Sequence, residues 1–377
     1  MARQNLTDSR WIRHLTRAAG TEGTWRAGAE LSPDSALEMH EIVIERALDR
    51  SAYQDLANLT EHALQICRRL PAKPEYLERQ VTLWLHQAGA KGILEGQGSA
   101  AAADAVQRAF DIGCQVQGRS FYGATALKCM MLCAHGRLAE CQVIATGLRE
   151  RSEQSGEPDI GLVSDFVDVM ISAIRGDVDA AISTGQHMMA TYPPPEDISD
   201  PTHFLHPRVY CWMALCEALR GDREAMRRYA EHALNLARSR GDVFNVLAAK
   251  LALVESAAIL GDISGTAAAA AAVEREFVAA GGHQWGAAAK IISIWAQILE
   301  TGDGDPRAAF DAFDVFTADG TCIMNALFLG LLADIEMHYG HIERALELLT
   351  RAQSLMRATG ELAWASFVER RVVAAQA

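Results

Sequence analysis

Charged residues recur at a fixed interval in otherwise apolar stretches of the chain. The interval from Lys128 to Asp168 equals the interval from Lys250 to Lys290. If the chain repeats a helical unit at this interval, of about 40 residues, then residues so spaced lie on one face of the molecule. A mainly cationic face is suited to an acidic peptide, a C-terminal carboxylate or an anionic small molecule.

A second group of candidate binding residues, Arg208, Tyr210 and Trp212, follows the proline-rich stretch TYPPPEDISDPTHFLHP. Arginine presents a planar fork of donors to carboxylates, and tyrosine and tryptophan add large apolar surfaces with a polar edge. We therefore expect these residues to add aromatic side chains to the cationic face. The alternative is that all seven candidates are ordinary solvated positions.

The proline-rich stretch also contains two weak metal-ligand candidates, His203 and His206, with Cys211 close behind. A separate pair, Cys129 and Cys133, lies one helical turn apart. Neither set has an established zinc spacing, so a loop that turns the chain and buried thiols are the other interpretations. We predict no cofactor.

Motifs for nucleotide binding and hydrolysis are incomplete. GQGSAA, residues 96–101, satisfies GxGxxA, but the flanking strands of a dinucleotide fingerprint are not visible, and a turn between helices is the other interpretation. HEIVIE, residues 40–45, lacks the second histidine of HExxH, and neither GxSxG nor GxxxxGK[ST] occurs. The sequence predicts no catalytic residues and a protein that is not an enzyme.

The composition describes a large acidic chain with a substantial core. Half of its 377 residues are apolar, and its formal charge is -13. This charge argues against a protein that binds nucleic acid or an anionic membrane over a broad surface. Eight cysteines include no CxxC pair, which favours reduced thiols and the cytoplasm. The chain shows no signal peptide and no apolar run of membrane-spanning length, so we expect no membrane association.

Glycines mark the elements that must position these residues. Most follow one another at intervals of about 20, with Ala-, Leu- and Arg-rich amphipathic segments between them. A helix, a glycine turn and a second helix make a hairpin of about 40 residues, and such a period is typical of a solenoid. The glycines in question are 136, 156, 176, 221, 241, 261, 281, 302, 320, 340 and 360.

Three Arg-Gly-Asp tripeptides, at 175–177, 220–222 and 240–242, coincide with these glycines. Arginine suits the last turn of a helix, glycine the left-handed cap, and aspartate the N-cap of the next helix. Leu260-Gly261-Asp262 and Thr301-Gly302-Asp303 keep Gly-Asp without Arg, which a cap allows and an adhesion motif does not. We therefore interpret the tripeptides as helix joints.

The pattern predicts two parts of the chain. Residues 1–35 form an N-terminal helix that caps the first repeat or docks a partner, and residues 36–377 form a single superhelix. Residues 191–207 hold five of the ten prolines, and helical patterns continue on both sides of them. We interpret this segment as a loop inserted into the superhelix.

Two segments resemble a known family. IERALDRSAYQDLANLTEHALQICRRLP, with the stretch that follows it, and FLGLLADIEMHYGHIERALELLTRAQSLMRATG are similar to the tetratricopeptide-like C-terminal region of bacterial STAND-class signalling ATPases, the cyclase-linked and maltose-activator-type regulators. Gly340, Ala345, Leu349 and Ala352 fit the tetratricopeptide spacing. The likeness covers roughly residues 40–375, and the ATPase motif of these regulators does not occur in the chain.

The resemblance implies an all-α, right-handed superhelix of tetratricopeptide-like hairpins, whose first helices line a concave groove. Lys128, Asp168, Lys250 and Lys290 would project into that groove, together with the group around Arg208. The predicted function is a cytoplasmic, non-catalytic module that binds another protein, an acidic peptide or an anionic small molecule. The alternatives are an enzyme that uses the groove, with metal at His203 and His206, and the sensor part of a transcriptional regulator. The sequence leaves open whether the protein forms a homo-oligomer.

Overall fold

A computed structural model describes residues 32–377, which contain seventeen α-helices and no β-strand. The helices are α1 (Pro33–Asp49), α2 (Tyr53–Cys67), α3 (Pro74–Leu94), α4 (Ala100–Val116), α5 (Arg119–Ala134), α6 (Leu138–Ser155), α7 (Pro158–Arg175), α8 (Val178–Thr191), α9 (Leu205–Arg220), α10 (Arg223–Ser239), α11 (Val243–Leu260), α12 (Thr266–Ala279), α13 (His283–Thr301), α14 (Pro306–Thr317), α15 (Asn325–His338), α16 (Ile342–Thr359) and α17 (Ala365–Gln376).

Within residues 32–377 the helices form eight hairpins, each made of an odd-numbered helix and the even-numbered helix after it, followed by α17. The first helices of the hairpins begin at residues 33, 74, 119, 158, 205, 243, 283 and 325. The predicted fold class is confirmed: the chain is an all-α, right-handed superhelix of tetratricopeptide-like hairpins with a period of about 40 residues.

The two helices of a hairpin have different environments. First helices such as α7 and α9 are buried on nearly every side and contact the first helices of the neighbouring hairpins. Second helices such as α10 bury one face and expose the rest. In α10 the buried face includes Tyr229, Ala233 and Ala237, which lie four residues apart. The first helices therefore form the inner layer and surround the interior of the superhelix.

The Arg-Gly-Asp tripeptides are helix joints, as predicted. Gly176, Gly221 and Gly241 all have positive φ angles, between 67° and 86°. The Asp222 side chain accepts from Ala225 N at 2.9 Å, and Asp177 and Asp242 cap α8 and α11 in the same way.

The two Gly-Asp dipeptides without arginine differ from that prediction. Gly261 and Gly302 do adopt the left-handed conformation. Asp262 does not cap the next helix, because α12 begins four residues later; its carboxylate pairs with Arg223 instead. The cap of α14 is Asp305, since the turn after Gly302 is longer than a Gly-Asp joint.

Successive turns of the superhelix touch along a contact that we call the seam. The carboxyl ends of α3, α5 and α7 meet the chain at the amino ends of α13, α15 and α17, an offset of five hairpins in each case. Ala134 O accepts from Cys322 N at 2.6 Å, and Ile174 O accepts from Ala363 N at 3.1 Å. These bonds satisfy carbonyl groups that a helix end leaves free.

The GQGSAA motif belongs to the seam. Gly98 N donates to Asp319 Oδ2 at 2.7 Å, and Gln97 N donates to Gln284 Oε1 at 2.8 Å. A Cβ at Gly96 would lie 2.5 Å from Asp319 Oδ2, so the backbone approaches this carboxylate too closely for any side chain. The glycines therefore allow contact between two turns, and strands are absent on both sides of the motif within the described residues.

The remaining predictions about organisation concern three segments. Residues 1–31 lie outside the described residues, so the predicted N-terminal cap stays a prediction. Residues 192–204 connect α8 to α9 and pack on α5, where Gly123 makes room for the Pro201 carbonyl. Helix α11 is long and apolar enough for a membrane span, with mean hydropathy 1.8, but 61% of it is buried in the fold, as in a core helix.

Candidate functional site

A central cavity lies among the inner helices. It has two adjoining parts, of about 170 Å³ and about 90 Å³. The side chains that line both parts are Gln97, Met130, Arg208, Phe244 and Trp285. They come from the end of α3 and from α5, α9, α11 and α13, so the cavity forms only when one complete turn of the superhelix has formed.

Arg208 is the charged side chain at the junction of the two parts. Its guanidinium lies over the Phe244 ring, 4.8 Å from the centroid. Arg208 is half-buried, burial lowers its pKa, and part of its surface is open to the cavity. Among residues 32–377 no side chain or carbonyl group forms a hydrogen bond or ion pair with it, so its donors are free to face a ligand.

Glu255 lines the smaller part, on the same helix as Phe244. Only 5% of it is exposed, and burial raises the pKa of its carboxyl group to about 8, although the nearby charge of Arg208 acts in the opposite direction. Near neutral pH this carboxyl group is therefore mostly protonated, and it can donate a hydrogen bond. The pair leaves the positive charge of Arg208 uncompensated within the wall of the smaller part.

Two further polar atoms of the cavity wall have no partner among the described residues. They are Trp285 Nε1, a donor, and Asn245 Oδ1, an acceptor. A buried polar atom without a partner costs free energy, and protein covers both of these atoms, so they are not open to the cavity. Trp212 and Leu251 add apolar surface beside them. A few polar groups in a mostly apolar cavity are typical of a ligand site.

The wall of the larger part carries a second polar group of residues. Asp242 caps α11 through Asn245 N and also accepts from Asn245 Nδ2 at 2.5 Å, and His203 Nε2 lies 3.7 Å from its carboxylate. Burial first, and then the charge of His203, lower the pKa of His86 to about 4. His86 is therefore neutral at physiological pH and adds no charge to the wall.

The structure separates the predicted site residues into two groups. Arg208 and Trp212 line the cavity. Tyr210 lies on the same helix but points toward α10, where its ring stacks on those of Tyr229 and His232 at 6.3 and 5.5 Å. Arg208 and Trp212 lie four residues apart and therefore share a helix face, whereas Tyr210 lies on another.

The residues forty apart are half-buried side chains of the inner helices, outside the set that lines the cavity. Lys128 donates to Gln107 on α4, and Lys250 pairs with Glu276 on α12. Asp168 accepts from Arg149 on α6, with Nη2 at 2.6 Å from Oδ1. Three of the four thus contact second helices, and Lys290 remains a candidate without an ion-pair partner within residues 32–377.

The two histidines proposed as weak metal ligands bind different carbonyl groups. His206 Nε2 is 2.9 Å from Tyr192 O, and His203 Nδ1 is 2.7 Å from Asp200 O. Within the described range, no group of three His, Cys, Asp or Glu side chains is arranged to hold a metal ion. Cys129 and Cys133 are buried in the core as free thiols.

Glu255, Phe244 and Trp285 were missed by sequence reasoning. A signal existed for Glu255, because it is a carboxylate in the otherwise apolar run LALVESAAILG. Phe244 and Trp285 each lie near the start of a first helix, and nothing in the local sequence indicates that they converge on Arg208. Their convergence depends on the curvature of the superhelix, which places α9, α11 and α13 around one axis.

Comparisons with known proteins agree on the architecture. A solved structure described as the crystal structure of a Rap protein complexed with competence and sporulation factor aligns with a TM-score of 0.51 and 11% sequence identity, and the alignment covers 91% of this chain and 98% of that one. No family model matches the chain, and no curated protein does. The likeness supports a tetratricopeptide-like helical repeat fold.

Proposed function

We propose that this protein is a non-catalytic sensing module of bacterial signalling or regulation, acting in the cytoplasm. It takes a peptide segment or an anionic small molecule into the central cavity and transmits binding as a change in superhelix curvature. The observation that carries this proposal is Arg208, a half-buried guanidinium without a hydrogen-bond partner in the described residues and open to an apolar cavity. A charge in such a position is stabilised when an anion arrives.

Two likenesses support a binding role. The Rap protein of the solved structure holds the competence and sporulation factor, and its fold resembles this one over nearly the whole chain. The sequence resemblance to the repeat region of STAND-class regulators implies that the superhelix docks a partner and controls an effector. In each case the superhelix contributes recognition.

The residues forty apart stay in the proposal as a partner-binding surface. Lys250 and Lys290 lie on neighbouring first helices and carry the same charge. A double variant, Lys250→Glu with Lys290→Glu, should weaken binding of an acidic partner. Unchanged binding removes this surface from the proposed site and leaves the cavity.

Two matched variants test the cavity. Gly89 on α3 is an exposed residue that lines the larger part of the cavity, and a Cβ there would meet no atom within 4 Å. Gly147 on α6 is equally open, exposed and outside the cavity. Gly89→Leu should occlude the site, and Gly147→Leu should act as the control, since each replaces a helical glycine with the same good helix former.

The measurement is a thermal-unfolding screen of the full chain against peptides and anionic metabolites. Ligands that stabilise the native protein should stabilise Gly147→Leu equally and Gly89→Leu much less, because stabilisation rises with the logarithm of the ligand concentration relative to Kd, and a blocked site has a larger Kd. Equal stabilisation of both variants would show that the cavity is not the site. Conversion of a ligand into products would show that the protein is an enzyme.

A further inference from the structure

Arg208 combines three properties that seldom occur together. It is half-buried, it makes no hydrogen bond or ion pair with the described residues, and it borders both parts of the cavity. Burying an unpaired charge is costly, so proteins pair or neutralise such groups. The Phe244 ring beneath it offers only a cation–π contact at 4.8 Å. The donors of this guanidinium are therefore available to a ligand in the cavity.

The charge balance of the cavity sets the charge of that ligand. Glu255, the carboxyl group on the adjacent wall, is held mostly protonated by burial, and His86 is neutral. Asp242 is already bonded to Asn245 through both carboxylate oxygens. Asp242 keeps its negative charge, but it lines only the larger part of the cavity. In the smaller part Arg208 is the one charged side chain of the described wall, so a ligand there fits with a single negative charge, and a dianion would bury a second charge without compensation.

The shape of the donors distinguishes among anions. A guanidinium offers two parallel N–H groups, which match the two oxygens of a carboxylate. The protonated Glu255 is a further donor on the same wall. The rest of the wall is apolar, with Met130, Trp212 and Leu251 near the junction. The body of the ligand is therefore apolar.

Resting on the proposed function, we infer that the central cavity binds a monocarboxylate with an apolar body, its carboxylate on Arg208 and its body along the aromatic and aliphatic wall. Two kinds of molecule carry this chemistry: a free fatty or aromatic acid, and the C-terminus of an apolar peptide. The inference narrows the ligand class of the site, and it can fail while the site itself stands.

The test measures binding to the purified full chain by isothermal titration and by the fluorescence of Trp212 and Trp285, which line the cavity. The first arm compares fatty acids from hexanoate to dodecanoate with the matching alcohols. The second arm compares an acetylated apolar tetrapeptide that has a free C-terminus with its C-terminal amide. We expect the acid of at least one arm to bind, and its neutral analogue to bind about thirtyfold or more weakly. The arm that binds identifies the source of the carboxylate.

The variants localise the effect. Arg208→Gln should abolish the preference for acid over alcohol or amide, whereas Lys91→Gln, which also removes a half-buried cation of an inner helix, should preserve it. Arg208→Lys keeps the charge but loses the two parallel N–H donors, so its preference for acid over neutral analogue should be intermediate. The comparison of acid with neutral analogue in the native protein needs no variant, and it stays decisive if Arg208→Gln does not fold.

Several results would overturn the inference. They are equal binding of acid and neutral analogue, tighter binding of decyl phosphate than of decanoate, an equal loss of the acid preference in Lys91→Gln, and no binding in either arm. Gly89→Leu separates this failure from failure of the proposed function. If neutral ligands bind the native chain and Gly89→Leu blocks them, the cavity is the site and only the monocarboxylate assignment is wrong.

Discussion

Glu255 and Arg208 share one cavity wall, yet their charges do not form a conventional salt bridge. Burial favours the neutral form of each, which is why the pKa of the carboxyl group rises and that of the guanidinium falls. A guanidinium stays charged at any physiological pH, so the carboxyl group is the one that gives up its charge. This arrangement leaves a cation in an apolar cavity. The unpaired cation lowers the stability of the protein, and binding of an anion would offset that loss.

Protein stability should fall as pH rises from about 6.5 to about 8.5. A carboxyl group whose folded pKa lies above its unfolded value binds more protons in the folded state, so raising the pH through that range destabilises the fold. For Glu255, with a folded pKa of about 8, the loss over this interval is roughly 2 kcal/mol. Glu361, whose pKa burial raises to about 7, adds to the same trend.

Chemical denaturation at several pH values measures this loss. Glu255→Gln should remove much of it, because glutamine keeps the shape and does not titrate. His86, whose folded pKa is about 4, has the opposite sign, and near its unfolded pKa of 6.5 it still adds only about 0.4 kcal/mol as the pH rises, which is smaller than the loss from Glu255. An equally steep pH dependence in Glu255→Gln would contradict the assignment.

At the scale of the element, the joints between helices are where sequence reasoning was most accurate. A left-handed glycine and an aspartate N-cap act within a few residues of one another, so their signals lie in the local sequence. The two Gly-Asp dipeptides that did not form caps show the limit of such signals. At Asp262 the turn is longer, and the carboxylate forms a salt bridge with Arg223 of α10.

Two of these joints predict different costs for the same substitution. Gly221→Ala should cost about 1 kcal/mol, because alanine is strained at positive φ and a Cβ there would meet no atom within 4 Å. Gly176→Ala should cost more, since its Cβ would also lie 3.3 Å from Leu362 O and Ala363 Cα at the seam. Urea denaturation of both variants measures the two losses of unfolding free energy. Equal losses would show that the seam accommodates the added methyl group without cost.

A buried network ties α13, α15 and α17 together. Asp334 Oδ2 accepts from Arg371 Nη2 at 2.6 Å and from Trp295 Nε1 at 3.0 Å, and the guanidinium of Arg371 lies 3.4 Å from the centroid of the Phe367 ring. Trp295 lies on α13, Asp334 on α15 and Arg371 on α17, so the network holds these three helices together.

Removing the carboxylate of this network should be strongly destabilising. Asp334→Ala leaves Arg371 buried without a counter-charge, and we expect a loss of about 3–5 kcal/mol, with faster hydrogen exchange in α17. Arg370→Ala, at an exposed neighbouring arginine, is the control and should change little. Replacing both Asp334 and Arg371 by leucine should recover part of the lost stability. If the double variant is no more stable than Asp334→Ala, the loss comes from packing and not from the unpaired charge.

At the scale of the whole molecule, the repeat period was readable from the sequence and the site was not. The period gives the position of a residue along its helix, whereas contacts across the interior depend on how each helix is rotated and how far the superhelix curves. Lys128 and Lys250 illustrate this, because both occupy inner helices yet reach partners on second helices. Arg208 reaches the cavity from an equivalent helix.

The seam is where a change in curvature would be visible. Because five hairpins separate the segments that touch, any change in the angle between neighbouring hairpins accumulates over five joints before it reaches the contact. Asp319 concentrates this contact, since its Oδ2 accepts both from Gly98 N and from Gln284 Nε2 at 2.7 Å. A ligand that alters curvature should therefore alter protection of the amides at the seam.

Asp319→Ala should loosen the seam without unfolding the hairpins. We expect faster hydrogen exchange at residues 96–98 and 319–323, unchanged exchange in α9 to α11, and a larger radius of gyration by small-angle scattering, because the turns lose the acceptor that joins them. Asp303→Ala, at an exposed aspartate in the turn after α13, is the matched control. Faster exchange throughout the chain would mean that Asp319 supports the fold as a whole. No change at residues 96–98 would mean that the seam does not depend on this carboxylate, and that curvature is held by packing between adjacent hairpins instead.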